Sequence, residues 1–273
     1  MSVQHVPLDW NGRPVEIEVA WIHPELTTAP VMVFLHEGLG SVAMWKDFPQ
    51  RLCQALGWRG LVYSRPGYGR STPRPESEAW GPDFMHRQAR ELLPALLQAL
   101  GLSGPAVPPL WLFGHSDGGS ITLLHAASAG MTVAGAIVLA PHILVEDVSV
   151  RSIQAAREAY ESGTLRAGLA RYHDDPDSAF WGWNRIWLSP DFRNWNITTE
   201  LQHIRCPVLA VQGLADEYGT LEQIRGIARQ APQTQLLELA DCGHSPHRDQ
   251  PERLISAVQA FVADRVPGLN QPA

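Results

Sequence analysis

At 273 residues, 45% hydrophobic and 18% charged, the chain can bury a large core and carries too little charge for extended disorder. Its net charge of −7, with no block of Lys or Arg, argues against a nucleic-acid or anionic-membrane partner. The three cysteines, Cys53, Cys206 and Cys242, are far apart and odd in number, so neither a disulfide framework nor a CxxC metal site follows.

The opening residues lack the basic start and apolar run of a signal peptide. No apolar stretch reaches the ~20 residues that span a bilayer, so a cytoplasmic protein is expected. Asn11-Gly12 is a two-residue hairpin signal, and Val15–Ile22 alternates apolar and polar as a half-exposed strand does. Val31–Leu35 is then continuously apolar, which suits a strand buried on both faces. Similar runs recur at Leu61–Tyr63, Leu110–Phe113, Ala136–Ala140 and Val208–Val211, with a more alternating last strand at Gln235–Leu239. Helical spacing marks Phe84–Leu100, closed by Gly101, and also Ser116–Ala129 and Leu254–Ala263. Alternating buried strands and helices predict an α/β fold with a doubly wound, mostly parallel sheet. Ligands bind such sheets at the carboxyl ends of the strands.

Residues 142–205 break the rhythm. They hold a helical stretch (Ser152–Ser162), a polar turn (His173–Asp177) and the tryptophans Trp181, Trp183, Trp187 and Trp195, with no buried-strand signal. The interval reads as a helical insertion that divides a core of residues 1–141 and 206–273. The tail, Pro267–Ala273, is expected to fray.

Gly114-His-Ser116-Asp-Gly118 has the spacing G-x-S-x-G. The spacing alone is weak, but a buried strand precedes it and a helix follows, the setting of a nucleophile elbow. Glycines let the backbone pack closely around a serine held in a sharp turn. The plainer alternative is an N-capping serine at an ordinary strand-to-helix turn. A serine hydroxyl needs a base near neutral pH. His244, just past the last strand, is favoured over His247. The base needs a carboxylate to fix its tautomer. Asp216, past the strand at Val208–Val211, is favoured over its neighbour Glu217, with Glu146 and Asp147 as outsiders. For an oxyanion, the N–H of Asp117 and one from the loop His36–Gly40 are the candidate donors, Gly38 first. The alternative for that loop is a glycine-rich turn without a catalytic role.

These pieces, with Ser64-Arg-Pro-Gly-Tyr-Gly-Arg-Ser71, Gly213-Leu-Ala-Asp216 and Gly243-His244, resemble the α/β-hydrolase superfamily over nearly the whole chain. The order Ser116, Asp216, His244 is that superfamily's order. The resemblance implies a serine nucleophile, the triad and a lid at 142–205. It is nearest in layout to small carboxylesterases and to methyl-ester and carbon–carbon-bond hydrolases. Two departures stand out. Glu37 occupies a usual glycine position, where it either pairs with a basic group or disfavours anionic substrates. Ser64-Arg65 occupies a usual aspartate position, and for Arg65 a structural loop role is favoured over a substrate role.

The expected reaction is cleavage of a small ester of a largely apolar acid through an acyl-enzyme. Thioester, lactone or vinylogous carbon–carbon substrates stay open, as does a ligand-binding or sensor protein with little turnover. Glu37, Leu39, Trp181, Trp183 and Trp187 are candidate substrate contacts, although packing the lid onto the core is the commoner task of any one tryptophan. Neither a metal nor an organic cofactor is expected, since there is no HExxH and the histidines show no ligand spacing. A homodimer stays open.

Overall fold

The computed structural model describes residues 2–104, 107–128, 130, 133–263 and 265. Strands β1 (Ser2–Trp10) and β2 (Arg13–Ile22) form the opening hairpin, turned by Asn11 and Gly12 at φ of 55° and 72°. Both angles suit a type I′ turn, which these two residues adopt with little strain. The other strands are β3 (Val31–Leu35), β4 (Arg59–Tyr63), β5 (Leu110–His115), β6 (Gly135–Leu139), β7 (Val208–Gly213) and β8 (Thr234–Leu239). They form one eight-stranded sheet in the order β1-β2-β4-β3-β5-β6-β7-β8. The β1–β2 and β2–β4 pairs are antiparallel and all the others parallel.

The helices are α1 (Phe48–Leu56), α2 (Phe84–Arg87), α3 (Leu93–Ala99), α4 (Asp117–Ala126), α5 (Asp147–Glu161), α6 (Thr164–Leu169), α7 (Pro176–Trp187), α8 (Glu222–Gln230), α9 (Pro246–Asp249) and α10 (Pro251–Ala263). Both faces of the sheet are covered, so the central strands are buried throughout. Val31, Val33 and Leu35 of β3 pack with Leu93, Leu96 and Ile121 on one side. Met32 and Phe34 pack with Leu52 and Val258 on the other.

The expected single helix over Phe84–Leu100 carries a π turn at Gln88–Leu92. Pro94 has no N–H for the i→i−4 ladder, which gives a physical reason for the irregularity. The helix closes as expected at Gly101, φ 67°, where Leu102 N–H donates to Leu97 O at 2.7 Å. The helix expected from Ser116 begins one residue later and ends at Ala126; its last expected position, Ala129, lies outside the described residues. The helix expected at Ser152–Ser162 starts earlier, at Asp147, and that expected at Leu254 starts at Pro251. The terminal segment Pro267–Ala273 also lies outside the described residues. Residues 142–205 hold α5 to α7, two 3-10 turns and one isolated bridge, Leu144 to Asn196, but no sheet strand.

Candidate active site

Ser116 stands between β5 and α4 with φ 53° and ψ −118°, a strained conformation for a side-chain-bearing residue. The strain is held by close backbone packing. A Cβ on Gly114 would overlap Gly118 O, and one on Gly118 would overlap Leu35 O. The parallel register sets Leu35 beside Gly114 and Leu139 beside His115. Ser116 N–H donates to Leu139 O at 2.9 Å, which fixes the turn against β6.

His244 reaches Ser116 from the loop after β8. Its Nε2 lies 3.0 Å from Ser116 Oγ and its Nδ1 2.8 Å from Asp216 Oδ1. Nδ1–H therefore donates to the carboxylate and leaves Nε2 to accept the hydroxyl proton. The loop after β7 is drawn against the loop after β8 because Gly213 has no side chain: a Cβ there would overlap Cys242 O. Leu214 N–H donates to Leu239 O at 2.8 Å and Ala215 N–H to Cys242 O at 3.0 Å across the same seam.

The Asp216 side chain is almost fully buried. Its Oδ1 also accepts from Tyr218 N–H at 2.8 Å, and its Oδ2 from Gln212 Nε2 at 3.0 Å. Burial alone would raise its pKa, but His244 and the Tyr218 N–H outweigh it and hold the carboxyl below its ordinary value. Glu217 does not reach the imidazole; its side chain accepts the His244 backbone N–H at 3.2 Å. Glu146 binds Thr220 and Gln223, and Asp147 pairs with Arg193. His247 is buried, its ring 4.9 Å from that of Trp45 and 4.8 Å from that of His115. Desolvation holds it neutral, well below its usual pKa.

Beside Ser116 lies the loop His36–Gly40. Glu37 O accepts from His36 Nδ1 at 2.7 Å, Arg65 Nη2 at 2.8 Å and Gly40 N at 3.1 Å. His36 Nε2 accepts from Arg65 N at 3.0 Å and Arg65 Nε at 3.4 Å. Burial, and then the Arg65 charge, hold His36 neutral. Arg65 is fully buried, with Nη1 3.8 Å from Asp117 Oδ2. Asp117 opens α4, so its backbone N–H has no partner within the helix. Burial raises the Asp117 carboxyl above its ordinary value despite Arg65. Glu37 keeps a side-chain exposure of 24% and places Oε2 3.5 Å from His115 Nδ1. Burial pushes its pKa up, but the neighbouring His115 prevails and holds it well below the carboxylate range. Of the two options for Glu37, the structure provides the basic neighbour.

Two of the three candidate tryptophans meet this loop and the elbow. A Cβ on Gly38 would overlap the Trp183 indole around Nε1, so that ring covers Gly38. Trp187 Nε1–H donates to Asp117 Oδ1 at 3.1 Å. Trp181 is different: it lies against the Arg157 and Arg185 guanidiniums and lines a groove with Arg74, Asp175 and Asp177. Helix phase explains the difference. Trp183 and Trp187 are four residues apart on one face of α7, whereas Trp181 falls on another. Leu39 is half-buried at the loop, its carbonyl accepting from His173 Nε2 at 2.9 Å. Trp195 stacks on Phe192, 5.2 Å between centroids.

The model of the family described as "Alpha/beta hydrolase family" matches residues 32–257. The chain belongs to that family. Hydrolysis is the reaction class that membership in the alpha/beta hydrolase family supports. Solved structures agree on the fold. VinJ superposes with a TM-score of 0.74 at 22% identity, covering 96% of this chain and 99% of its own. A thermophilic esterase from Thermogutta terrifontis gives 0.70 at 21% identity, covering 97% and 99%. The enol-lactonase from Burkholderia xenovorans LB400 gives 0.71 at 19%, covering 94% and 99%.

This alpha/beta hydrolase also brings to Ser116 residues that the sequence did not single out. His115 Nε2–H donates to His244 O at 2.8 Å and so anchors the loop that carries the imidazole. His142 lies 5.9 Å from the His244 ring and 4.9 Å from Trp187, and burial lowers its pKa to about 3. Each follows or ends a buried strand, and that position was the available signal. Among the described residues, no group of three or more His, Cys, Asp or Glu is placed to hold a metal ion, and no helix is long and apolar enough to cross a membrane.

Proposed function

We propose that this protein is a serine hydrolase that cleaves small esters of largely apolar carboxylic acids through an acyl-enzyme. The observation that carries the reading is the chain of contacts from Ser116 Oγ to His244 Nε2 (3.0 Å) and from His244 Nδ1 to Asp216 (2.8 Å). His244 takes the hydroxyl proton as Oγ attacks the ester carbonyl. Asp216, held as a carboxylate, orients the imidazole and stabilises its cation. The Gly38 and Asp117 N–H groups receive the oxyanion. The imidazolium then protonates the leaving alcohol. Water, deprotonated by the same imidazole, attacks the acyl carbonyl and releases the acid and free Ser116.

In this reading residues 142–205 form a lid on a core of residues 1–141 and 206–273. Supporting it, α7 sets Trp183 over Gly38 and Trp187 on Asp117, and Ser116 keeps only 7% exposure beneath them. The apolar indoles favour an apolar acyl or alcohol group.

The test is hydrolysis of p-nitrophenyl acetate and butyrate by the wild type and by Ser116→Ala, with fluorophosphonate labelling mapped by mass spectrometry. The reading expects one adduct, on Ser116, and loss of turnover in a folded Ser116→Ala protein. An adduct elsewhere, or retained turnover, contradicts it.

A further inference from the structure

We infer that Arg65 is a positioning residue for the oxyanion site, bracing the residues that supply both of its proposed donors. The inference rests on the serine-hydrolase reading and extends it. A trans peptide is planar, with its C=O and N–H on opposite edges. The carbonyl of Glu37 and the N–H of Gly38 belong to one such unit, and the chain has no cis peptide among its described residues. Fixing Glu37 O therefore fixes the direction of the Gly38 N–H. Three donors converge on that oxygen, and two of them depend on Arg65. Nη2 donates directly at 2.8 Å. His36 Nδ1 donates at 2.7 Å, and Arg65 sets its tautomer by giving two N–H groups to His36 Nε2. Donors on a peptide oxygen also polarise the peptide and strengthen its N–H as a donor.

The other end of the guanidinium faces the second donor residue. Nη1 is 3.8 Å from Asp117 Oδ2, and neither atom has a hydrogen-bond partner. Asp117 is held from the opposite side by Trp187 Nε1–H. One fully buried cation thus spans the Gly38 peptide and the first residue of α4. A packing role alone would not need both the Nη2 and the Nε of one arginine to serve the loop His36–Gly40. Lysine lacks the fork that makes these contacts together.

The experiment compares wild type, Arg65→Lys, Arg65→Met and the double variant Arg65→Met/Asp117→Asn, which removes both buried charges. Each is assayed for kcat and KM on p-nitrophenyl acetate, for inhibition by an aryl trifluoromethyl ketone, and for thermal unfolding. The ketone forms a serine adduct that carries an oxyanion, so it reads the donors directly. Loss of one oxyanion donor costs about 10²–10³ in kcat, and misdirecting one should cost roughly 10–100-fold. We expect kcat to fall by that factor with KM within about threefold. The ketone Ki should rise in proportion to the fall in kcat/KM, with Arg65→Lys intermediate. Folded variants that keep wild-type kcat overturn the inference, as does a fall in kcat with no change in ketone affinity. A set in which every variant unfolds also overturns it, by making Arg65 structural only. Fluorophosphonate labelling of the wild type is run alongside. No label on Ser116 defeats the underlying reading, whereas a labelled wild type with indifferent Arg65 variants defeats this inference alone.

Discussion

Gly213→Ala is a stringent test of how the imidazole and its carboxylate are brought together. The residue ends β7, three positions before Asp216. A Cβ built there stands 2.5 Å from Cys242 C and nearer still to Cys242 O and Gly243 O, whereas real Cβ contacts stay beyond 3.0 Å. All three atoms are backbone, so no side chain can swing away. The loop carrying His244 must retreat by roughly 1 Å, at a cost of about 1–3 kcal/mol for overpacking. That retreat is large against the 2.8 Å and 3.0 Å contacts that link Asp216, His244 and Ser116. A misplacement of about 1 Å can cost ~10²-fold in rate. The assay is kcat/KM on p-nitrophenyl acetate beside a thermal melt, with Gly168→Ala as control. Gly168 is within α6 and an added Cβ meets nothing within 4 Å, so alanine there should leave activity unchanged and gain up to ~1 kcal/mol. A Gly213→Ala protein that folds and keeps kcat/KM within about threefold would refute the reasoning, since the seam between the two loops would then be slack.

Two further outcomes are expected. Asp216→Asn should reduce kcat by about 10³–10⁴, because an amide in place of the carboxylate favours the wrong His244 tautomer; a loss below tenfold would remove Asp216 from the role. Acid should destabilise the fold, because burial holds His142 near 3 and His36 and His247 well below their ordinary value, while the unfolded imidazoles protonate from ~6.5 downward. Stability is then complete above that pH and falls by roughly 1.4 kcal/mol per unit for each such histidine; melts that stay flat from pH 7 to 5, or a His142→Gln slope no shallower than wild type, would contradict this.

That Ser116, Asp216 and His244 come together was legible because each follows a strand, two of them continuously apolar and the last alternating, and the carboxyl edge of a parallel sheet is one place. Strand existence was readable for the same reason: β3, β5 and β6 are buried on both faces and need no partner pattern to be seen. What was not legible depends on phase or on distance along the chain. Trp181 was grouped with Trp183 and Trp187 by proximity, but a helix turns it onto another face. The π turn before Pro94 is a local answer to a missing N–H, and an apolar period does not register it. Arg65 and His36 stand 29 positions apart, so only the parallel pairing of β3 with β4 shows that one serves the other.

Energetics gives Arg65 a meaning that its position alone does not. Removing a guanidinium and a carboxylate from water costs several kcal/mol each, and such a pair recovers this only with good geometry and full hydrogen bonding. The pair with Asp117 has neither, at 3.8 Å with Nη1 and Oδ2 unbonded. Burial has already raised the Asp117 carboxyl, as expected where desolvation exceeds the Coulomb gain. An apolar pair of similar volume would hold these segments together at least as firmly. The arginine also makes two well-formed donations and one longer one within one loop, and the shortest is to the carbonyl of the peptide that carries the Gly38 N–H. If fold stability were the pair's main contribution, Arg65→Met/Asp117→Asn would melt well below wild type and its kcat would follow only the fraction folded. The geometry predicts the opposite order: a double variant of near-native stability whose turnover falls while all of it is folded.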